Sequence, residues 1–438
     1  MLLNYFTSRG DTLVLNGNGN FHVLYPNNKI KEEGKYKNGL KDSVWLEYFN
    51  SGDIHSKGKY IKGEKHGRFF SWYRSGNLES ELNFENGKYV TYYNNGIKMM
   101  QGKMLNAKKD SIWTYWYSDG KVKSIGKYLT GKRTGKHTSY FENEKINTEI
   151  YFHENKKNGE ANWYTSEGSN DIFGHFVNDT MSGLWTYWQT NIINNKKITV
   201  KGNEGYYKSG RMNGLWTYWY PDESVWKKGE FYNDKKQGKW TVFYENGQVY
   251  YEGVFNDGKE EGEWKSWYES GKPEMKGRFF ASKMDGTWQA WFENGNMKYD
   301  INYEKGNKNG NSTFWNEKGI KEKSESYNNG IYEGKYETFY PDGKINISGF
   351  FKEGEKTGNW IVYGNNGTKI RKESFFKGKR HGLVTTWYPH GQKQKEADYL
   401  NGALNGMMIK YDKFGKVIYK AKYNNNRPIR IIKDVNSD

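Results

Sequence analysis

The chain of 438 residues contains no cysteine, only six prolines and no apolar run long enough to span a bilayer as a helix. The missing cysteine excludes disulfide staples, thiolate nucleophiles and cysteine-ligated zinc, and leaves the redox compartment open. Scarce proline beside abundant aromatics argues against disorder. Hydrophobic residues make up only 34%, too little aliphatic material for the two or three globular domains the length would suggest. The apolar surface is in rings instead: 37 Tyr, 23 Phe and 18 Trp, side chains that cover large areas while tolerating a partly wet face. The N-terminal stretch MLLNYFTSRGDTLVLNGNGN lacks the charged start and apolar segment of a secretory signal. Cytoplasmic location is the default expectation, with an exported chain whose signal was removed as the alternative.

What is present is a period. A small residue, an aromatic two places on, an aromatic pair, a Gly, a Gly-x-aromatic and a final Gly recur seventeen times, starting at Gly19, Ser43, Gly67, Gly87, Ser111, Gly135, Gly159, Gly183, Gly214, Gly238, Gly262, Gly286, Gly310, Gly334, Gly358, Gly382 and Gly406. Fourteen of the sixteen steps are 24 residues; the repeat at 67–86 is shortened and the one at Gly183 carries an insertion near 191–203. A fixed period of this size means a repeat array. The array fills residues 19–428, between an N-terminal cap at 1–18 and a C-terminal tail at 429–438.

Each repeat reads as two short strands. In Gly214-Leu-Trp216-Thr-Tyr-Trp219-Tyr220 the aromatic and β-branched residues suit a pleated surface. A turn such as Glu245-Asn-Gly247 follows, which predicts a type I turn closed by a left-handed residue. The second strand runs through Gly-x-aromatic, as in Gly253-Val-Phe255, and ends in Asn38-Gly39 or a relative. The opening Gly of that strand is expected beside an aromatic of its own hairpin, clearing space for the ring. Turns this short allow only antiparallel neighbours. The fold class is therefore all-β, an elongated single-layer antiparallel meander of about seventeen hairpin repeats, on the order of 160 Å long at ~4.8 Å per strand. The two breaks in the period should make it bend or loop.

The pattern G-x-W-x-x-W/Y-Y/F-x-x-x-G-x(5)-G-x-Y/F-x-x-G resembles the bacterial variant of the MORN repeat, the class found in antitoxin-like proteins of the YwqK type. Gly183-Leu-Trp185-Thr-Tyr-Trp188, Gly286-Thr-Trp288-Gln-Ala-Trp291-Phe292-Glu-Asn-Gly295 and Gly358-Asn-Trp360-Ile-Val-Tyr363 carry the resemblance. Several repeats depart from it: His137, Ala161, Ser312, Val384 and Met408 replace the first aromatic, and Ile150, Ile301, Glu325, Glu373, Ala397 and Ala421 replace the inner Gly. The resemblance implies an all-β rod used for binding or scaffolding, with roles from neutralising a toxin to membrane-associated assembly.

Catalytic constellations are not apparent. The eight histidines show no metal-ligand spacing, the Gly-x-Gly pieces lack a strand-to-helix context, and no carboxylate pair stands in an apolar setting. The expectation is a non-enzyme with no cofactor, no metal and no small-molecule substrate. The formal charge of +17 is mostly dispersed, but Ile97–Lys136 holds ten Lys or Arg against two Asp.

Three readings follow. The preferred one is a non-catalytic scaffold binding a protein partner along an extended aromatic face, with Trp216, Trp240, Trp264 and Trp288 as a ladder of contacts; the competing account of these four is that they are the core. The second is a binder of anionic lipid or nucleic acid through Lys121, Lys123, Lys132 and Arg133. The third is a structural rod that self-associates through strand edges.

Overall fold

The computed structural model describes residues 5–6, 12–193 and 195–435, and every regular element among them is a β-strand. The chain divides into two compact units, Met1–Gly214 with Pro221–Glu223 and Leu215–Tyr220 with Ser224–Asp438. Within each, strands pair antiparallel with their sequence neighbours, as Lys235–Phe243 does with Val249–Asn256 and the latter with Lys259–Trp267. The expected meander of hairpin repeats is the fold.

Both turns follow from their residues. At Glu245-Asn-Gly247 the Gly247 N–H donates to the Tyr244 carbonyl at 3.0 Å, and the Tyr244 N–H donates to the Gln248 carbonyl at 2.8 Å. Gly247 takes φ +83°, the left-handed closure of a type I turn. At Asn38-Gly39 both residues have positive φ, 54° and 78°, and Lys37 pairs with Leu40. That is the two-residue type I′ hairpin, whose twist matches the strands.

Between one repeat and the next the register slips. Glu252 pairs with Lys265 and Val254 with Glu261, so Gly253 alone opposes residues 262–264. The residue that opens a repeat sits in such a bulge with left-handed φ at, for example, Gly262 (+67°) and Ser43 (+62°), which is why the position is small. The bulge throws the following tryptophan across the neighbouring strand. A Cβ on Gly253 would lie 2.2 Å from the Trp264 ring, and one on Gly277 2.1 Å from Trp288. The packing glycine thus exists, but the ring that covers it comes from the next repeat, not from its own hairpin.

Stacked this way, the tryptophans interleave with the aromatics of the second strands. Phe231–Trp240, Phe255–Trp264 and Phe279–Trp288 meet edge-to-face with centroids 5.1, 5.2 and 4.9 Å apart, a favoured geometry for ring pairs. The indole N–H of Trp240 donates to the Glu230 carbonyl at 3.0 Å and that of Trp288 to the Arg278 carbonyl at 3.1 Å. Tyrosines tie repeats together as well: the Tyr244 hydroxyl donates to the Trp267 carbonyl at 3.0 Å, and the Tyr268 hydroxyl to the Trp291 carbonyl at 2.8 Å.

The departures from the pattern are coupled. Ile150 faces Ala161, Ile301 faces Ser312 and Ala397 faces Met408 across the ladder, so in these three a larger residue in the glycine's place goes with a ring-less one opposite, whereas Glu325 faces Tyr336. His137 keeps its glycine, Gly126, and takes the tryptophan's place over it. Its Nε2 lies 2.8 Å from the Lys127 carbonyl, and its ring meets Tyr128 and Phe152 at 5.3 and 5.0 Å.

Burial, with the nearby Arg133 cation, pushes the His137 imidazole below its ordinary value although the Lys127 carbonyl pulls the other way. A group depressed on folding stabilises above its unfolded value of about 6.5 and loses that contribution as pH falls through the folded one. The opening of residues 122–153, read as hydrogen exchange corrected for its intrinsic pH dependence, should therefore accelerate between neutral pH and pH 5 in the native chain. His137→Trp should remove that acceleration; an unchanged pH profile in the variant would count against the imidazole as its source.

The insertion is taken up as paired strand and not as a loop of its own. It lengthens one hairpin, Thr180–Ile193 with Lys196–Lys208, whose pairing continues to Ile193↔Lys196. At the N-terminus, Val14 is fully buried against Phe21, Tyr36 and Trp45, with Tyr5 packed beside them; residues 1–4 and 7–11 of the expected cap lie outside the described residues. In the C-terminal stretch, Arg427–Asp434 forms a strand paired with Val417–Asn424, and residues 436–438 lie outside the described residues.

Candidate functional site

Three of the four expected contact tryptophans are core. Trp216 and Trp240 are 2% exposed and Trp288 1%, because Trp240 and Trp288 lie across Gly229 and Gly277 under the second-strand rings and Trp216 packs edge-to-face on Phe231. This overturns their reading as partner contacts. Trp264 differs: it stays partly exposed, and its indole N–H is buried without an acceptor.

The basic patch does not assemble. Lys121 and Lys132 flank the eight-residue strand Val122–Leu129 at opposite ends, about 26 Å apart at ~3.3 Å per residue. Lys121 pairs with Asp119 at 3.4 Å and Lys132 with Glu154 at 3.3 Å. Arg133 lies over the Phe152 ring at 4.1 Å and Lys123 over Tyr117 at 5.4 Å.

Arg133 belongs to a recurring feature that sequence reasoning missed. It stands two residues before the opening of its repeat, and the same column places a cation over the stacked rings elsewhere. Lys41 sits 3.8 Å from the Trp45 centroid, Lys109 4.6 Å from Trp113, and Lys356 4.2 Å from Trp360. Lys236 sits 4.6 Å from Trp240 and 4.5 Å from Phe255. Lys65, Lys157, Lys308 and Arg380 do likewise over Phe69, Phe176, Tyr327 and Tyr399. Nine repeats thus carry their own cation over their own rings, a contact worth about 0.5–2 kcal/mol as the site is desolvated. Burial accordingly holds the Lys236 ammonium below its ordinary value, with Glu260 opposing the shift.

In the repeat of Trp264 this column holds Glu260, and in the next one Met284. A groove of about 470 Å³ opens here, lined by Tyr251, Trp264, Phe279 and Tyr299, with Glu260 and Glu274 among its walls. Two small residues make the space. Tyr115, Tyr187 and Tyr218 pack against the tryptophan two places before them, with centroids 6.4, 6.2 and 6.2 Å apart. The equivalent positions in the groove are Ser266 and Ala290, both buried at its floor. The Ser266 hydroxyl donates to the Glu274 carboxylate at 2.9 Å. Glu260 accepts from the Ser282 hydroxyl, and its backbone N–H donates to the Ser282 oxygen at 3.1 Å. Tyr251 stacks on Trp264 at 5.9 Å and 21°, and burial raises the pKa of Tyr251 and Tyr299.

Segments 65–86, 109–129, 236–257, 260–280, 284–305, 332–353 and 380–401 each match one family model. They are copies of the MORN repeat variant. Each MORN segment begins at or next to the cation column, and three of them, from residue 236 to residue 305, build the groove. No curated protein matches the chain. Among solved structures, the crystal structure of TcdB2-TccC3 is 9% identical over 97% of this chain and 33% of that one, with a TM-score of 0.16. A Photorhabdus luminescens Tc holotoxin pore with a mutated TccC3 is 9% identical over 95% of this chain and 24% of that one, at 0.15. This chain spans a third or less of those molecules, and similarity at this level carries no functional information.

Among the described residues, no group of three or more His, Asp or Glu side chains has metal-binding geometry, and no helix is long and apolar enough to cross a membrane.

Proposed function

We propose that the chain is a non-catalytic MORN-like scaffold that binds a protein partner, and that its contact surface is the aromatic groove around Trp264. The observation that supports this reading is the opened floor at Ser266 and Ala290, which leaves open to a ligand rings that a tyrosine covers in the repeats of Trp113, Trp185 and Trp216. Exposed rings bounded by charge suit an interface. The antitoxin-like role implied by the resemblance is one instance of such binding, with a toxin as the partner.

The test is affinity capture by the tagged full chain from its native lysate at moderate and high salt, beside a folded Tyr251→Ser/Tyr299→Ser variant. One stoichiometric protein that survives high salt and is lost with the variant is the expected result. Capture indifferent to the variant would overturn the groove. Nucleic acid or lipid released at high salt would put the anionic-surface reading in its place.

A further inference from the structure

The groove differs from nine other repeats in the sign of one charge. In nine repeats a Lys or Arg two residues before the opening lies over the aromatic stack, and in the repeat of Trp264 that residue is Glu260. The rings are retained: Trp264 and Phe279 keep the pair that Lys236 covers at Trp240 and Phe255 one repeat earlier, and Tyr251 adds a third ring where that repeat has Lys227. What is gone is the cation, and a carboxylate stands in its column. A negative group beside the π-faces of aromatic rings gives no attraction of its own, whereas an ammonium held between them satisfies both.

The surroundings point the same way. Residues 252–276 hold seven Asp or Glu against four Lys, in a chain whose formal charge is +17. Glu252, Asp257 and Glu263 are paired with Lys239, Lys235 and Lys265. Glu260 and Glu274, the two that line the groove, are in no ion pair among the described residues. The site is thus an aromatic groove with two carboxylates in no ion pair: of the two lysines that also line it, Lys265 is paired with Glu263 and Lys298 lies over the Phe292 ring, whereas the neighbouring stack of Trp240 and Phe255 is covered by Lys236.

We propose that this groove binds the ammonium group of a lysine side chain presented by the partner polypeptide, which takes the place that Lys236 and its equivalents occupy within this chain. A lysine is the occupant because the cage is built on the same rings that accept a lysine butyl stem and ammonium in the neighbouring repeat. The proposal rests on the scaffold reading above and adds the chemistry of the partner.

It is tested on the full chain by titrating acetyl-Gly-Lys-Gly-amide, the same peptide with norleucine for lysine, and n-butylammonium chloride, followed through tryptophan indole NMR. The expected result is that the lysine peptide binds at least tenfold more tightly than the norleucine peptide. In Glu260→Lys the binding should vanish and the fold should gain stability, since the variant installs the cation that nine repeats already carry. Equal affinity for the norleucine peptide overturns the ammonium site while leaving the groove as a contact surface. Lysine binding that persists in Glu260→Lys overturns the cage assignment. Butylammonium binding as tightly as the peptide assigns the site to a free amine and overturns the peptide occupant. If no probe binds and partner capture ignores Tyr251→Ser/Tyr299→Ser, the proposal and the scaffold reading fail together.

Discussion

Gly277→Ile should unfold the hairpins on either side of it, although it adds only apolar atoms to an apolar site. A single Cβ at this position already falls 2.1 Å from the Trp288 ring, and that ring is 1% exposed. It cannot yield cheaply, being held against Phe279 at 4.9 Å and by its N–H on the Arg278 carbonyl at 3.1 Å. Overpacking of a well-filled core costs about 1–3 kcal/mol, and here the rigidity of the ring places the cost at or above the upper end. Trp288→Ser alone should cost about 3–5 kcal/mol through lost burial and a cavity.

The double variant Gly277→Ile/Trp288→Ser reproduces the pair that this chain uses at Ile301 and Ser312, which face each other across the ladder. It should recover much of the loss, so that the two changes fall short of additivity by about 2–3 kcal/mol. Repeats depend mainly on their neighbours, so the readout is hydrogen exchange of residues 262–305 together with urea unfolding. Simple additivity would show that the coupled departures are unrelated.

That coupling marks the boundary of what the sequence discloses. The period, both turn types and the antiparallel order are legible because each is encoded within one repeat, in an Asn-Gly or a Gly at a fixed offset. The covering of Gly253 by Trp264 is not, since the extra residues in the bulge opposite Gly253 shift the partner by an amount that alternation alone does not give. Alternation places Trp216, Trp240, Trp264 and Trp288 on one face, but only the residues packed beside each ring, Ser266 and Ala290 at the groove among them, decide that three are sealed and one is open. Density of charge misleads for the same reason: Arg133 counts as a surface cation in a composition window and lies on a ring in the fold. The column of Lys41, Lys109, Lys236 and Lys356, which holds Glu260 at the groove, stands in the sequence at a constant offset. It acquires meaning only once the rings beneath it are placed.

Glu325→Ala should cost about 2–3 kcal/mol at neutral pH and much less in acid. Glu325 replaces an inner glycine and is 1% exposed, with Lys323 at 2.6 Å and Lys308 at 3.4 Å. The Tyr327 and Tyr332 hydroxyls donate to it at 2.7 and 3.2 Å. It faces Tyr336 across one ladder and Ser312 across the other, so the carboxylate and its partners occupy volume that a tryptophan fills elsewhere. Removing one member of a buried ion pair costs about 3–5 kcal/mol, and the figure is lowered here because both lysines remain about a third exposed. Burial alone would raise this carboxyl, but the Lys323 and Tyr327 hydrogen bonds and the two ammonium charges outweigh it and hold the group below its ordinary range. A carboxylate depressed on folding stabilises above its unfolded value, about 4.3, and that contribution is lost as pH falls through the folded one. Urea unfolding and hydrogen exchange of residues 307–339 should therefore separate native chain and variant clearly at pH 7 and bring them together near pH 3. A gap that is the same at both values would mean that Glu325 acts there by filling space and not by its charge.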